Sequence, residues 1–562
     1  MLPPAATPRV AWSILAVLLV GVGALMWSVA SEGVVGFHYD EGEYLVSGRA
    51  LVAGDGYRLT HLPTEPPQVR HPIGYPLVLG VASWLTPTFP ANGMALKSIN
   101  VLLALVALTG TSFHFLAIST SLLPEAAFLV TSLIALWRGE RALRGETRWW
   151  TVGAWVTLAF HLRTIGIALA AAVLLVTAVR RQWRAALTIA AIFVIAGLGP
   201  WLAWTHTHSP HPNTEADTTL LVEYLGFGSN VEEIAEGGAL GVARRTTHGF
   251  VVLGGQLADS LLPIIASVPE FLPRSLEEDA AVDRVVSVGT AIARLLVVAL
   301  FALPGVVSLG RRELAITPIY LLISAAALAF WNAPDDNARF LVVLLPLCWL
   351  YFFAPILPAL RSDDGLGYRW IALPAFVVVM SLHPATTGIL ALNTQRTGDF
   401  TPGSLGSAVV WSEYEAALRF LNPDGAPDPQ GGVASASETN AGSETDVPGV
   451  VATREEVVWH LYAGRKTVHL GAATFRGRDV TAAEVLEHLI HWGVDTIVVE
   501  PERRLVGDRV APNEAALRVL AADSGRFERV FVSPHRLIEI YRLRTTPVDA
   551  SESPPESPPG DE

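Results

Sequence analysis

Long apolar runs separated by short polar breaks dominate the first two thirds of the chain. A bilayer-crossing helix needs about 20 mostly apolar residues. Runs that approach or meet that length lie at 11–30, 95–117, 120–137, 150–162, 164–179, 185–204, 287–309, 314–331, 339–360 and 370–389. The first is followed by a polar stretch, 31–73. Within it, 41–53 predicts a short amphipathic helix with Tyr44, Leu45, Leu51 and Val52 turned inward, stopped by Gly54-Asp55-Gly56. Residues 74–86 are apolar but short, and predict an interfacial helix broken by Pro87 and Pro90. A mixed stretch, 205–286, reads as a long loop with helical pieces of its own.

Past residue 390 the period changes. Residues 412–421 read as a helix, and 423–449, rich in Gly, Ala, Ser, Asp and Pro without a hydrophobic period, as a flexible insertion. Strand signals at 450–452, 467–470, 496–499, 529–533 and 537–542 then alternate with helical signals at 454–463, 481–492 and 513–523. That alternation predicts a small α/β domain. Repeated Ser-Pro-Pro with acids predicts a disordered acidic tail over 546–562. The expected organisation is a polytopic α-helical membrane domain, 1–390, with outer loops 31–94 and 205–286, then an extracytoplasmic α/β domain, 391–545.

Orientation follows from the basic residues, which concentrate in cytoplasmic loops. Arg138, Arg141, Arg144 and Arg148 form one cluster, Arg180, Arg181 and Arg184 a second, and Arg311 and Arg312 a third. Placing all three inside puts 31–94, 205–286, 332–338 and everything after about 390 outside. Two full crossings between 95 and 137 would instead carry the first cluster outside, so the charge rule demands an odd number there.

Composition agrees with a polytopic membrane protein, and the expected location is the plasma membrane. The 562 residues are 51% hydrophobic and 16% charged, with mean hydropathy +0.41, against about 25% charged in soluble domains. A net charge of −13 argues against nucleic-acid binding, which needs clustered cations. Cys348 is the single cysteine, so an internal disulfide is excluded. The first apolar run lacks a small-residue cleavage site and reads as a retained anchor.

Chemistry-bearing residues gather where the chain leaves the first apolar run. His38-Tyr39-Asp40-Glu41-Gly42-Glu43-Tyr44 places three carboxylates and a histidine together, and Arg70-His71-Pro72-Ile73-Gly74-Tyr75-Pro76 follows. Carboxylates before a helix favour its dipole whatever their function. Asp40 is also placed to act as a general base toward a hydroxyl. His38 with Asp40 and Glu43 offers nitrogen and oxygen ligands for a divalent cation, although the spacing matches no strong metal motif. Arg163 interrupts an apolar stretch; it either snorkels at a hairpin tip or faces a polar cavity where it holds an anionic head group. Arg339, after Asp335 and Asp336, reads most simply as an ion pair, Glu125 after Pro124 as a helix-starting carboxylate, and His71 as a loop donor. His206, His208 and His211 read as an exposed loop.

The order of these motifs resembles the GT-C superfamily of membrane glycosyltransferases. The likeness is to the branch of protein O-mannosyltransferases and aminoarabinose lipid A transferases (glycosyltransferase family 39). It rests on Asp40-Glu41 after the first span, on His71-Pro72 with Tyr75-Pro76, and on Ser121-Leu122-Leu123-Pro124-Glu125. It continues through Arg163-Thr164-Ile165-Gly166 and Arg339-Phe340-Leu341. The chain departs from that pattern at 117–121, which join the second span to the Ser-Leu-Leu-Pro-Glu segment almost directly, as if about one helix were missing. The resemblance implies a polyprenyl-phosphate sugar as donor and a glycan, lipid or protein hydroxyl as acceptor, on the extracytoplasmic side. It matches Asp40 to the catalytic first-loop aspartate and Glu41 to the accompanying acid. It puts Arg163, Arg339 and His71 near the donor phosphate, with Glu125, Glu43 and Tyr75 as further site residues. Rival readings are a multipass transporter, which would show internal repeats, and a non-catalytic membrane protein whose outer domain binds a partner.

Overall fold

The computed structural model describes residues 39–106, 121–208, 315–330, 343–348, 408–422, 449–470, 481–502, 511–512, 514–522 and 525–544, with short pieces within 20–36, 238–256, 288–296 and 340–341. Arg339, His38, His211, the insertion over 423–448, the tail, and the expected span 370–389 lie outside these residues. The chain divides into two units, one of residues 1–58 with 67–393, the other of 59–66 with 394–562.

The first unit is helical: α1 Tyr39–Ala53, α2 Gly74–Leu85, α3 Gly93–Val106, α4 Glu125–Leu143, α5 Trp149–Leu162, α6 Gly166–Val179, α7 Trp183–Phe193, α8 Gly199–His208 and α9 Ile316–Phe330. α1 stops where Gly54 and Gly56 take positive φ, as the glycines foretell. It is not amphipathic as expected. Residues 41–48 are buried all round, Glu41, Glu43 and Ser47 included, whereas Leu51 and Val52 are half-buried. The reason is α2, which packs directly on it. A Cβ on Gly48 would stand 2.2 Å from the Pro76 carbonyl oxygen, and one on Gly80 2.2 Å from the Gly48 carbonyl. The two backbones touch, so neither position has room for a side chain.

α4 and α5 form a hairpin whose turn is closed by Glu146, which accepts from Arg141 Nε at 2.8 Å and Arg144 Nε at 2.7 Å. α6 and α7 turn through Arg180 and Arg181, the latter with positive φ. At the end of α4, Glu140 accepts from the backbone N–H of Ile316 at 2.7 Å and of Thr317 at 3.1 Å, capping α9 with a carboxylate where the helix dipole favours one. The two described basic turns and the start of α9 thus share one end of the unit. α4 starts at the opposite end, beside α1, where Leu122 N donates to Glu41. α3 starts there too, with Gly93 against Val35. α3 and α4 therefore both start at this end of the unit.

α7 and α8 are joined by a π-helical turn, Val194–Leu198, and make one 26-residue rod, the one helix among the described residues long and apolar enough to cross a bilayer. Gly74–Leu85, Gly93–Leu105, Gly166–Val179 and Ile316–Leu328 are apolar but shorter. At the π turn the Ala196 carbonyl meets His161 Nε2 at 2.7 Å, a side-chain answer to a disturbed backbone ladder. The rod runs through His208, so His206 and His208 are in a helix rather than the expected loop. Trp84, Trp150, Leu158, Ile167, Leu175, Trp183, Leu187, Ile195 and Leu202 point outward, an apolar exterior of the kind a bilayer covers.

The second unit contains α10 Ala408–Leu421, then β1 Val450–Thr453, α11 Glu456–Ala463, β2 Thr467–His469, α12 Ala482–His491, β3 Val494–Val499, β4 Pro501–Glu502, β5 Ala511–Pro512, α13 Glu514–Ala522, β6 Phe527–Val532 and β7 Glu539–Leu543. Its five-stranded sheet has the order β2-β1-β3-β7-β6. β1 runs parallel to β2 and β3, while β7 is antiparallel to β3 and β6. The expected strands and helices are all present within a few residues; β4 and β5 are an unforeseen small pair. α12 opens with a capping box of Thr481 and Glu484 and ends at Gly493 with positive φ. The edge strand β2 is covered by residues of the 59–66 segment. Thr467 N donates to His61 O at 2.9 Å, and Lys466 Nζ to Thr60 O at 2.6 Å, which blunts an otherwise open edge.

Two predictions follow from this packing. Gly48→Val forces backbone against backbone and should cost at least about 1–3 kcal/mol; a lowered midpoint in detergent-solubilised thermal unfolding checks it. In the second unit, burial alone would lower the pKa of His469, but the charge and hydrogen bond of Glu456, 2.8 Å away, raise it from 6.5 to about 9. The pair's contribution is therefore complete below about pH 6.5 and lost as pH rises through about 9. Urea unfolding of this unit in the full chain should show that loss, and Glu456→Gln should flatten it.

Candidate functional site

Helical phase decides what each first-loop carboxylate does. Residues three and four apart share a face of a helix, so Asp40, Glu43 and Tyr44 of α1 look one way and Glu41 another. On the first face stands the turn 68–71. His71 Nε2 lies 3.2 Å from Glu43 Oε2 and 3.8 Å from Asp40 Oδ1. The Arg70 guanidinium is 3.9 Å from Asp40 and 4.0 Å from Glu43. The Tyr44 ring packs on the His71 imidazole with centroids 4.5 Å apart, and Tyr57 OH donates to His71 O at 2.8 Å. Glu43 is fully buried, whereas the Asp40 side chain keeps 17% exposure at the N-terminus of the helix.

Glu41 turns inward. It is 1% exposed, and accepts from Gly36 N at 3.1 Å through one oxygen and from Leu122 N at 2.8 Å through the other. Buried Lys97 of α3 is close enough to feel its charge. Tyr75 is the hub between helices. Its hydroxyl receives Asn100 Nδ2 at 2.9 Å, and the same amide nitrogen reaches Ser121 O at 2.6 Å and Leu123 O at 2.8 Å. Glu41 and Asn100 together pin the segment that leads into α4.

A second cluster forms where α4 starts and α5 turns into α6. Glu125, fully buried, pairs with Arg163, whose guanidinium lies 4.5 Å over the Phe340 ring. Arg163 does not snorkel; it is 8% exposed and borders a small cavity walled by Phe128, Tyr320, Ser324, Leu328, Phe340 and Leu344. Gly166 makes the turn, since a Cβ there would come within 2.7 Å of the Phe160 backbone. Glu125 begins α4 as read from Pro124, but its partner is a cation rather than the helix dipole. Tyr75 stands among Glu41, Glu125 and Tyr44 and so joins the two clusters.

The structure thus brings together Asp40, Glu43, His71 and Tyr75 with Arg70, and pairs Glu125 with Arg163. Arg339 lies outside the described residues, next to Phe340. Among the described residues no group of three His, Cys, Asp or Glu side chains has the arrangement of a metal site. Sequence reasoning gave no role to Gln68, Tyr57, Asn100 or Trp204. Asn100 carried a signal, an amide in an apolar run; Gln68 and Tyr57 carried none.

No protein-family model and no curated protein matches the chain. Among solved structures it is similar to ArnT from Cupriavidus metallidurans bound to undecaprenyl phosphate, at 14% identity and TM-score 0.45, covering 96% of this chain and 98% of that one. The apo state of the same protein gives 13% and 0.39, covering 94% and 98%. The archaeal oligosaccharyltransferase AglB from Archaeoglobus fulgidus, in complex with an inhibitory peptide and a dolichol-phosphate, gives 13% and 0.38, covering 95% and 75%. The shared features are a helical body and a C-terminal mixed-sheet domain. At such scores the likeness says nothing about chemistry, which rests on the residues themselves.

Breaking the buried pair should be costly. Glu125→Gln leaves the Arg163 guanidinium uncompensated in an apolar surround, at about 3–5 kcal/mol. Thermal unfolding in nanodiscs should show a large drop, and the double variant Glu125→Leu, Arg163→Met should recover most of it.

Proposed function

We propose that this chain is a multipass membrane glycosyltransferase of the GT-C type. It moves a monosaccharide from a polyprenyl-phosphate donor to an acceptor hydroxyl at the extracytoplasmic surface. The observation that carries the reading is Asp40: a carboxylate kept partly open at a helix start, with an arginine and a histidine beside it. It stands on the end of the helical unit opposite the basic turns. The charge rule puts those turns in the cytoplasm, and so puts Asp40 outside.

Asp40 takes the proton of the acceptor hydroxyl as its oxygen attacks the anomeric carbon of the donor sugar. The bond from that carbon to the phosphate oxygen breaks, its electron pair leaves with the phosphate, and the configuration inverts, as the family resemblance implies. Negative charge then grows on the phosphate, where preformed cations act most strongly. Arg70 is the cation at Asp40, with the His71 imidazole beside it. Arg163, which lines the apolar cavity, is the cation this reading assigns to a lipid-borne phosphate, and the resemblance adds Arg339. Glu43 keeps His71 and Arg70 in place. Glu41 has a holding role, because both its oxygens already accept backbone N–H groups. No step is assigned to a metal ion. The sugar is left open among those carried on polyprenyl phosphate, as is the acceptor among glycan, lipid and protein.

Purified protein in lipid, given a panel of polyprenyl-phosphate sugars and an extract of mixed acceptors, should release polyprenyl phosphate from one donor. Asp40→Asn should fold normally and lose about 10²–10⁴-fold in rate. An unimpaired Asp40→Asn enzyme would sink the assignment.

A further inference from the structure

Gln68 has no part in the motifs, yet every polar group it owns is engaged at the site. It is fully buried. Its main-chain N–H donates to Tyr57 O at 3.0 Å, and its carbonyl accepts from the Trp204 indole at 2.9 Å. Its side-chain oxygen accepts from Arg70 N at 2.9 Å, and its side-chain nitrogen donates to Glu43 Oε2 at 3.1 Å. The amide can stand only one way round. A backbone N–H is a donor and nothing else, so the oxygen must face Arg70 and the NH₂ must face Glu43.

We propose that Gln68 is a positioning residue for the transfer, a role that rests on the glycosyltransferase reading above. The same Glu43 oxygen that receives its NH₂ lies 3.2 Å from His71 Nε2, and the main chain it grips is that of Arg70. One side chain therefore sets the aim of Glu43 and the path of the turn, and through them the stance of His71 and Arg70 toward Asp40. Trp204 extends the hold to the outer end of α8. Gln68 touches neither donor nor acceptor; it acts through Glu43.

Gln68→Glu isolates this role. It keeps an oxygen for Arg70 N and turns the donor toward Glu43 into an acceptor, at unchanged size. The expected result is a fall in kcat of about tenfold or more, since small misplacement of reacting groups is costly, with the KM for the donor little changed. Glu43→Gln should fall likewise. The double variant, which reverses the amide–carboxylate bond, should be clearly more active than the product of the two single losses. If the losses simply multiply, Gln68 does not act through Glu43 and the proposal is wrong. A second readout needs no turnover: carbethoxylation of His71, followed by mass spectrometry, should run severalfold faster in Gln68→Glu and in Gln68→Met, with His206 and His208 unchanged as internal controls. An unchanged His71 rate overturns the proposal as well. Should the wild-type protein turn over no donor, the transferase reading falls while the labelling still decides the role of Gln68.

Discussion

A carboxylate withdrawn from water must be met by donors or by a cation, because an isolated buried charge costs far more than apolar packing returns. The helical unit withdraws Glu41, Glu43 and Glu125 almost completely, and each is answered from a different element. Glu41 accepts from the backbone before α1 and from the backbone leading into α4. Glu43 meets the 68–71 turn, and Glu125 meets the guanidinium between α5 and α6. At the other end, Glu140 caps α9. Apolar side chains facing lipid are nearly indifferent to which neighbour they touch. These directional contacts therefore fix how the helices stand, and the site is a consequence of them.

The same rule explains why Asp40 is different. It is one residue before Glu41, so about 100° of helical rotation separates them. That rotation puts one carboxylate among buried backbone donors and leaves the other at an open helix start. Two acids adjacent in sequence, which a motif treats as a pair, are given unlike environments. The outward one keeps contact with solvent, from which an acceptor could reach it; the inward one accepts backbone N–H groups through both oxygens.

The helical unit and the α/β unit were legible because hydrophobic period and glycine punctuation are local. Gly54 and Gly56 ended their helix as read, and every strand signal from 450 on became a strand. The sequence misled where tertiary contact overrides local pattern. α1 reads as amphipathic with Leu51 and Val52 inward, but α2 touches its backbone at Gly48 and the polar side chains are enclosed. The stretch around His206 reads as polar loop, but the π turn and Trp204 carry the helix through it. At the site, Asp40, His71, Glu125 and Arg163 could be named because charges next to apolar runs stand out. Their partners could not be assigned. Whether Arg163 snorkels or turns inward depends on Glu125, 38 residues away, and on Phe340, and no spacing along the chain encodes that meeting. Gln68 was invisible for the opposite reason: an amide between Pro67 and Val69 in a polar loop looks like any other.

Helix length adds a final constraint on the proposed reading. α5 and α6 have 14 residues each, about 21 Å of rise, against about 30 Å of hydrocarbon in a bilayer. On the proposed reading the basic turns of Arg148 and Arg180 are at the cytoplasmic face; α5 and α6 alone would not reach the outer face, while the 19-residue α4 brings Glu125, the partner of Arg163, about 28 Å from that side. The buried guanidinium is tolerated because Glu125 balances its charge and Phe340 covers it. A polyprenyl chain can stay in the bilayer while its phosphate comes to such a group from the side, whereas a polar acceptor must arrive from water. On that reading Asp40, partly open at the start of α1, faces the water. On the proposed reading the two partners of the reaction would thus come to Arg163 and to Asp40 by different routes, and the turn held by Gln68 lies beside Asp40.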